Sequence, residues 1–226
     1  MKMINVTKWA VVIACAGFVA FAVQPAKADF IFNISTGNPA LSGYAGPYAT
    51  VDVNLVDATH ATITFTSLTN SGHIYLFGDG SSVGVNVNAT SWTLGPVTGS
   101  NAGTGFTPGP WTSAGSQNVN GFGIFNQVID SDDGFTSSSD HISFSLTNTS
   151  GTWANAMAVL LANSGGSLAE AHIFVTLDPA NAQNGALATG FAANGTETVP
   201  DSGTTVALLG FALVGIGFLR SKFSRN

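Results

Sequence analysis

Between Asp29 and Thr198 this chain contains no lysine and no arginine. Its six basic residues, Lys2, Lys8, Lys27, Arg220, Lys222 and Arg225, all lie near the two ends. Of the 12 acidic residues, only Asp201 lies outside the central body, which is therefore strongly anionic with histidine neutral. A body without cations has nothing to pair with phosphates, which excludes nucleic acid as a partner. It also excludes adsorption to anionic lipid headgroups and any phosphate-binding loop that needs a lysine. The body has no cysteine either, so its fold relies on a packed core and not on disulfides. The single cysteine, Cys15, lies in the N-terminal apolar run. Apolar residues continue after it to Val23, where a lipidated N-terminus would turn polar. No uncharged apolar run near the C-terminus reaches the roughly 20 residues of a comfortable membrane span.

What is present begins with two terminal segments. Residues 1–28 place Lys2 and Lys8 before an apolar stretch from Trp9 to Val23. Ala26-Lys27-Ala28 then forms a small-x-small cleavage site, the pattern of a secretory signal peptide with a signal helix. At the other end, residues 194–226 are expected to form a stalk followed by three parts in order. Val199, Pro200, Asp201, Ser202 and Gly203 form a polar, turn-prone motif. An apolar helix is expected over Val206–Leu219, and Arg220, Lys222 and Arg225 stand in the basic tail, residues 220–226. As a helix the 14 apolar residues reach roughly 21 Å, short of a bilayer core of about 30 Å. The basic residues act as a stop that stays cytoplasmic. The helix is therefore a membrane anchor suited to a precursor.

The body, residues 29–193, alternates with period two. Val51, Val53 and Leu55 alternate with Asp52 and Asn54; Ile63 and Phe65 with threonines; Ile142, Phe144 and Leu146 with Ser143, Ser145 and Thr147. This pattern gives strands with one buried and one hydrated face. Further strands are expected at Phe30–Ile34, Gly72–Phe77, Val83–Val87, Ala89–Leu94, Gly121–Ile129 and Ala171–Leu177, separated by turn residues such as Gly78-Asp79-Gly80. Many short strands without alternating helices predict an all-β, antiparallel, jelly-roll-like β-sandwich. Gly95–Asn120, rich in Gly, Pro, Ser and Thr, reads as a long surface loop. Trp153–Asn163 reads as helix-like or as a loop crossing one end of the sandwich.

The C-terminal arrangement resembles the PEP-CTERM class of bacterial sorting signals, in the variant with Val-Pro-Asp-Ser-Gly in place of Val-Pro-Glu-Pro. Residues 199–203, the apolar segment and the basic cluster carry the resemblance. It implies recognition and cleavage by an exosortase, a membrane transpeptidase-like enzyme. It also implies a Gram-negative-type host that makes exopolysaccharide. The stretch from Ala61 to Ala193 resembles a body type found ahead of such signals, through Val85-Asn86-Val87-Asn88-Ala89-Thr90, Gly121-Phe122-Gly123 and Ala171-His172-Ile173-Phe174-Val175. That resemblance implies no catalytic residues.

Candidate sites in the body are sparse. Asp130, Asp132 and Asp133, beside Gly134, offer three carboxylates at a turn, chemistry suited to Ca²⁺ as in a calcium-dependent adhesion domain, although the spacing is not that of an EF-hand. Trp111 and Trp92 offer flat rings on which sugar faces could stack in a carbohydrate-binding module, with Trp111 in the expected loop. His60, His73, His141 and His172 form no short metal-spaced pair. Asp140-His141 beside Ser137–Ser139 lacks the Gly-x-Ser-x-Gly elbow of a serine hydrolase. The expectation is a non-enzymatic exported protein with no required cofactor and a possible polysaccharide partner.

Overall fold

A computed structural model describes residues 29–131, 134–178 and 185–194. The expected signal helix, the stalk, the sorting motif and the C-terminal apolar helix lie outside the described residues. Thirteen strands follow in order: β1 (Phe30–Ile34), β2 (Thr36–Gly37), β3 (Ala49–Leu55), β4 (His60–Ser67), β5 (Thr69–Asn70), β6 (His73–Phe77), β7 (Val83–Val85), β8 (Trp92–Ser100), β9 (Trp111–Val119), β10 (Gly123–Ser131), β11 (His141–Asn148), β12 (Ala169–Thr176) and β13 (Ala188–Ala193). Short 3₁₀ turns occur at Pro39–Leu41, Phe135–Ser137 and Ala156–Val159, and no α-helix occurs among the described residues.

The strands form two antiparallel sheets. One has the order β1-β3-β4-β11-β8. The other has the order β2-β13-β12-β7-β10-β9, with β6 also beside β12 and β5 beside β6. Period-two patterning sets the register of the first sheet. Phe30 pairs with Val53, Val53 with Ile63, Ile63 with Phe144 and Phe144 with Val97, so one apolar row crosses all five strands. The offset row Asp52, Thr64, Ser143 and Thr98 faces the other way. A slip of one residue in any strand would exchange the two rows, so burial of one face fixes the pairing.

The inner rows of both sheets meet in one core. It joins Ile63, Phe65 and Ile142 of the first sheet to Tyr75, Phe77, Val83, Ile129 and Ile173 of the second. Phe65 sits at the contact between the sheets. Its ring meets Phe77 edge-on at 6.1 Å and stacks on Phe144 at 6.3 Å. A two-sheet all-β architecture consistent with a β-sandwich is therefore what the alternating pattern produces.

One expectation changes: Gly95–Asn120 is mostly strand, because it contains most of β8 and all of β9. Among the described residues both are edge strands: β8 pairs with β11 alone and β9 with β10 alone. An edge strand has a free side where Pro and Gly are tolerated and a bulge can form. In β8, Gly95 and Pro96 together stand opposite Ser145 at a register shift, and a Cβ on Gly95 would collide with the Ser145 side chain. In β9, Gly115 adopts φ +64° next to register shifts in β10. At Trp153–Asn163, where helix and loop were both open, the chain forms a loop with one 3₁₀ turn. Asn155 caps that turn by accepting from the backbone N–H of Ala158 at 2.9 Å.

Truncation of Phe65 removes a fully buried ring at the contact between the sheets. Phe65→Ala is expected to lower unfolding free energy by ~3–5 kcal/mol. Chemical denaturation should show a lower midpoint with an unchanged slope.

Candidate functional site

The two tryptophans proposed as sugar platforms join the edges of the sheets. Trp92 begins β8, and its indole N–H donates to Gln127 Oε1 on β10 at 3.0 Å. Gln127 in turn donates to Ser113 Oγ on β9 at 3.0 Å. Trp111 begins β9 and lies on Gly99 of β8, where a Cβ would stand 2.6 Å from the ring carbon Cζ2. Trp111 thus fills the place that Gly99 leaves at the end of an apolar row. Both rings are half-buried and packed against the core. The buried Nε1 of Trp111 has no hydrogen-bond partner.

Asp130 lies near the end of β10 and is half-buried. Its Oδ1 accepts from the backbone N–H of Ser81 at 2.6 Å. Asp79 and Ser81 both adopt left-handed φ, 63° and 52°. Ser82 Oγ donates to Asp79 O at 2.6 Å and lies 2.8 Å from Ser131 Oγ. The carboxylate therefore holds the β6–β7 turn in shape. Asp132 and Asp133 lie outside the described residues. Among the described residues no group of three or more His, Cys, Asp or Glu side chains is placed to hold a metal ion.

The histidines are dispersed. His60 is exposed and pairs with Asp57 at 2.8 Å in the β3–β4 hairpin. Hydrogen bonds from the Thr59 backbone and from His60 hold the Asp57 carboxyl well below its ordinary range. The ring of His73 meets Tyr44 edge-on at 5.0 Å. His172 Nδ1 lies 3.0 Å from Gly80 O, and its ring stacks on Phe191 at 4.3 Å. Burial pushes the His172 pKa down, against the opposing effects of Gly80 and Asp79. Asp140 accepts from Ser100 Oγ at 3.2 Å and from Ala102 N–H at 2.7 Å. Ser138 and Ser139 are buried, and their hydroxyls have no partner, so neither is engaged by His141.

An open groove of about 610 Å³ runs beside the segment that continues β7. Asn86 and Asn88 lie two residues apart, which puts both amides on one side of an extended chain. Asn86 Nδ2 donates to Leu161 O at 2.8 Å, and Asn88 Nδ2 donates to Ala158 O at 2.9 Å. Between them Val87 is clasped by Asn126, whose amide accepts from Val87 N–H at 2.7 Å and donates to Val87 O at 2.9 Å. The indole N–H of Trp153, whose ring is buried, donates to Asn88 O at 2.8 Å. Every lining side chain is uncharged. Sequence reasoning missed this site: the Asn-Val-Asn alternation is the one local signal that could have pointed to it, and the contribution of Asn126 and Asn148 from other strands had none.

Glu170 on β12 is fully buried, and neither carboxyl oxygen has a hydrogen-bond partner. It stands directly opposite Gly84 of β7. A Cβ on Gly84 would lie 2.5 Å from Glu170 Oε1, so the glycine leaves the space the carboxyl occupies. Burial first, and the nearby Asp130 second, raise its pKa well above the ordinary value of 4.5. The group is held neutral in the folded state and ionises freely in the unfolded one. Its stabilising effect is therefore complete below that ordinary value and is lost as pH rises through the folded-state pKa. Relative to the parent, Glu170→Gln should give a flatter decline of Tm as pH rises above the ordinary carboxyl value of 4.5. Parallel curves for the two proteins would contradict this placement of Glu170.

No curated protein and no solved structure matches the chain. The family model described as the VPDSG-CTERM motif matches residues 198–223. That span takes in Val199–Gly203 and the basic residues Arg220 and Lys222. Such a motif implies processing by a sorting enzyme of the exosortase type. The chain therefore carries a VPDSG-CTERM motif, a variant of the PEP-CTERM-type C-terminal sorting signal, and is an exported, cell-envelope-directed protein.

Proposed function

We propose that the domain is a non-enzymatic component of the cell envelope or extracellular matrix, associated with exopolysaccharide. One observation carries this reading: the match of residues 198–223 to the sorting motif. In the precursor, Val206–Leu219 holds the chain transiently in the inner membrane of a Gram-negative-type cell. Arg220, Lys222 and Arg225 stay on the cytoplasmic side. The motif Val199–Gly203 is the segment an exosortase would recognise. Cleavage near Val199–Gly203 then separates the domain from every cation at that end of the chain.

The charge distribution supports the same reading. With all six basic residues in the terminal segments, the processed domain is purely acidic. Self-repulsion keeps such a domain soluble and off anionic lipid surfaces. The reading invokes no cofactor and no catalytic residue. Asp57, Asp130 and Asp140 have structural work instead: each accepts from backbone N–H groups at a turn or loop.

Intact-mass measurement of the protein from its native host tests the processing. The mature species should begin at Asp29 and lack Leu219. Replacement of Val199–Gly203 by alanines should leave the full tail attached and shift the protein to the membrane fraction. A parent mass that still includes Leu219 would refute the proposal.

A further inference from the structure

We infer that the asparagine-lined groove binds a neutral polysaccharide side-on. The inference rests on the exported, polysaccharide-associated reading above and assigns that role a site. An uncharged lining has no group to pair with an anion or a cation, and the purely acidic body would repel a polyanion. The polar groups that remain are amides and hydroxyls, which both donate and accept. Sugar hydroxyls do the same, so they can satisfy the lining in either sense.

The amides are fixed in advance. Asn86 and Asn88 each use one N–H on a backbone carbonyl, which sets the plane of the amide. Each keeps its carbonyl oxygen and a second N–H for a ligand. Asn148 uses Oδ1 to accept from the Ser150 backbone at 3.0 Å, which leaves Nδ2. Thr90 and Thr152 add exposed hydroxyls. Groups already held in position lose little conformational freedom on binding. Ala89, Ala154 and Ala158 supply small apolar patches for the C–H faces of the sugar.

A peptide fits this groove poorly. A peptide would add to a strand through free backbone groups. Here the backbone is already paired: Asn86 N donates to Leu168 O, Asn88 N to Val159 O, and Leu161 N to Asn86 O, each at 2.8–2.9 Å. Val87 is held by Asn126. No edge remains for an added strand.

Gly151 gives a direct test. It is exposed on the groove, and a Cβ there would meet only Asn148 Nδ2, at 3.9 Å. Gly151→Trp and, independently, Thr152→Trp would fill the groove with little disturbance of the core. Affinity electrophoresis of the mature protein would be run in gels containing soluble starch, galactomannan, β-glucan, acidic alginate or gelatin. The expected result is retardation by at least one neutral polymer, weakened about tenfold or more, ~1.4 kcal/mol, in both variants, with circular dichroism and Tm unchanged. Retardation that persists in both variants would overturn the inference. So would no retardation by any neutral polymer, or retardation by alginate or gelatin alone. C-terminal processing is read separately by mass, so a groove that binds nothing would leave the sorting proposal standing, and an uncut tail would do the reverse.

Discussion

The absence of any lysine or arginine between Ala28 and Arg220 constrains the interior of this fold more than any other feature. A buried polar group costs free energy unless it is hydrogen-bonded, and here no lysine or arginine is available to help. Backbone groups, hydroxyls and side-chain amides do the work instead. Asn126 takes the place of a neighbouring strand along Val87. Asn163 donates to Phe122 O at 2.9 Å and accepts from Gly165 N and Ser167 N. Asn194 accepts from Leu168 N and Ala169 N. The asparagines are therefore internal braces as much as surface residues. Glu170 is the case in which no brace is supplied, and burial raises the carboxyl's pKa.

The same constraint shapes the surface. Carboxylates without cations cannot form ion-pair networks, so they settle where backbone N–H groups converge, at turns. Asp57, Asp130 and Asp140 all do this. The edges of the sheets lack the lysines that commonly discourage strand addition. Bulges at Gly95 and Gly115 distort both long edge strands, and Trp111 crosses from one to the other. These features protect the edges without charge.

Much of the fold was legible in the sequence. The alternation at residues 51–55, 61–65 and 142–146 defined β3, β4 and β11, because burial of one face requires period two. Phe30–Ile34 was legible for the same reason. The long edge strands β8 and β9 were mostly not, because their half-exposed positions carry Gly, Pro, Ser and Thr, which composition alone assigns to a loop. Trp92 and Trp111 begin these two strands as half-buried rings, one bonded to Gln127 and the other seated on Gly99, neighbours that only the fold brings together.

The sequence by itself determined the all-β class, the charge asymmetry and the sorting signal, because each depends on residues close together in the chain. The tertiary structure decided everything that depends on residues far apart. Asn88 meets Ala158 across 70 positions, and Asn86 meets Leu161 across 75. Gly84 makes room for Glu170 from another strand. Strand periodicity specifies which face a side chain takes but not which strand lies beside it. Strand order together with the packing of the two sheets brought Asn86, Asn126, Asn148 and Gly151 to one groove.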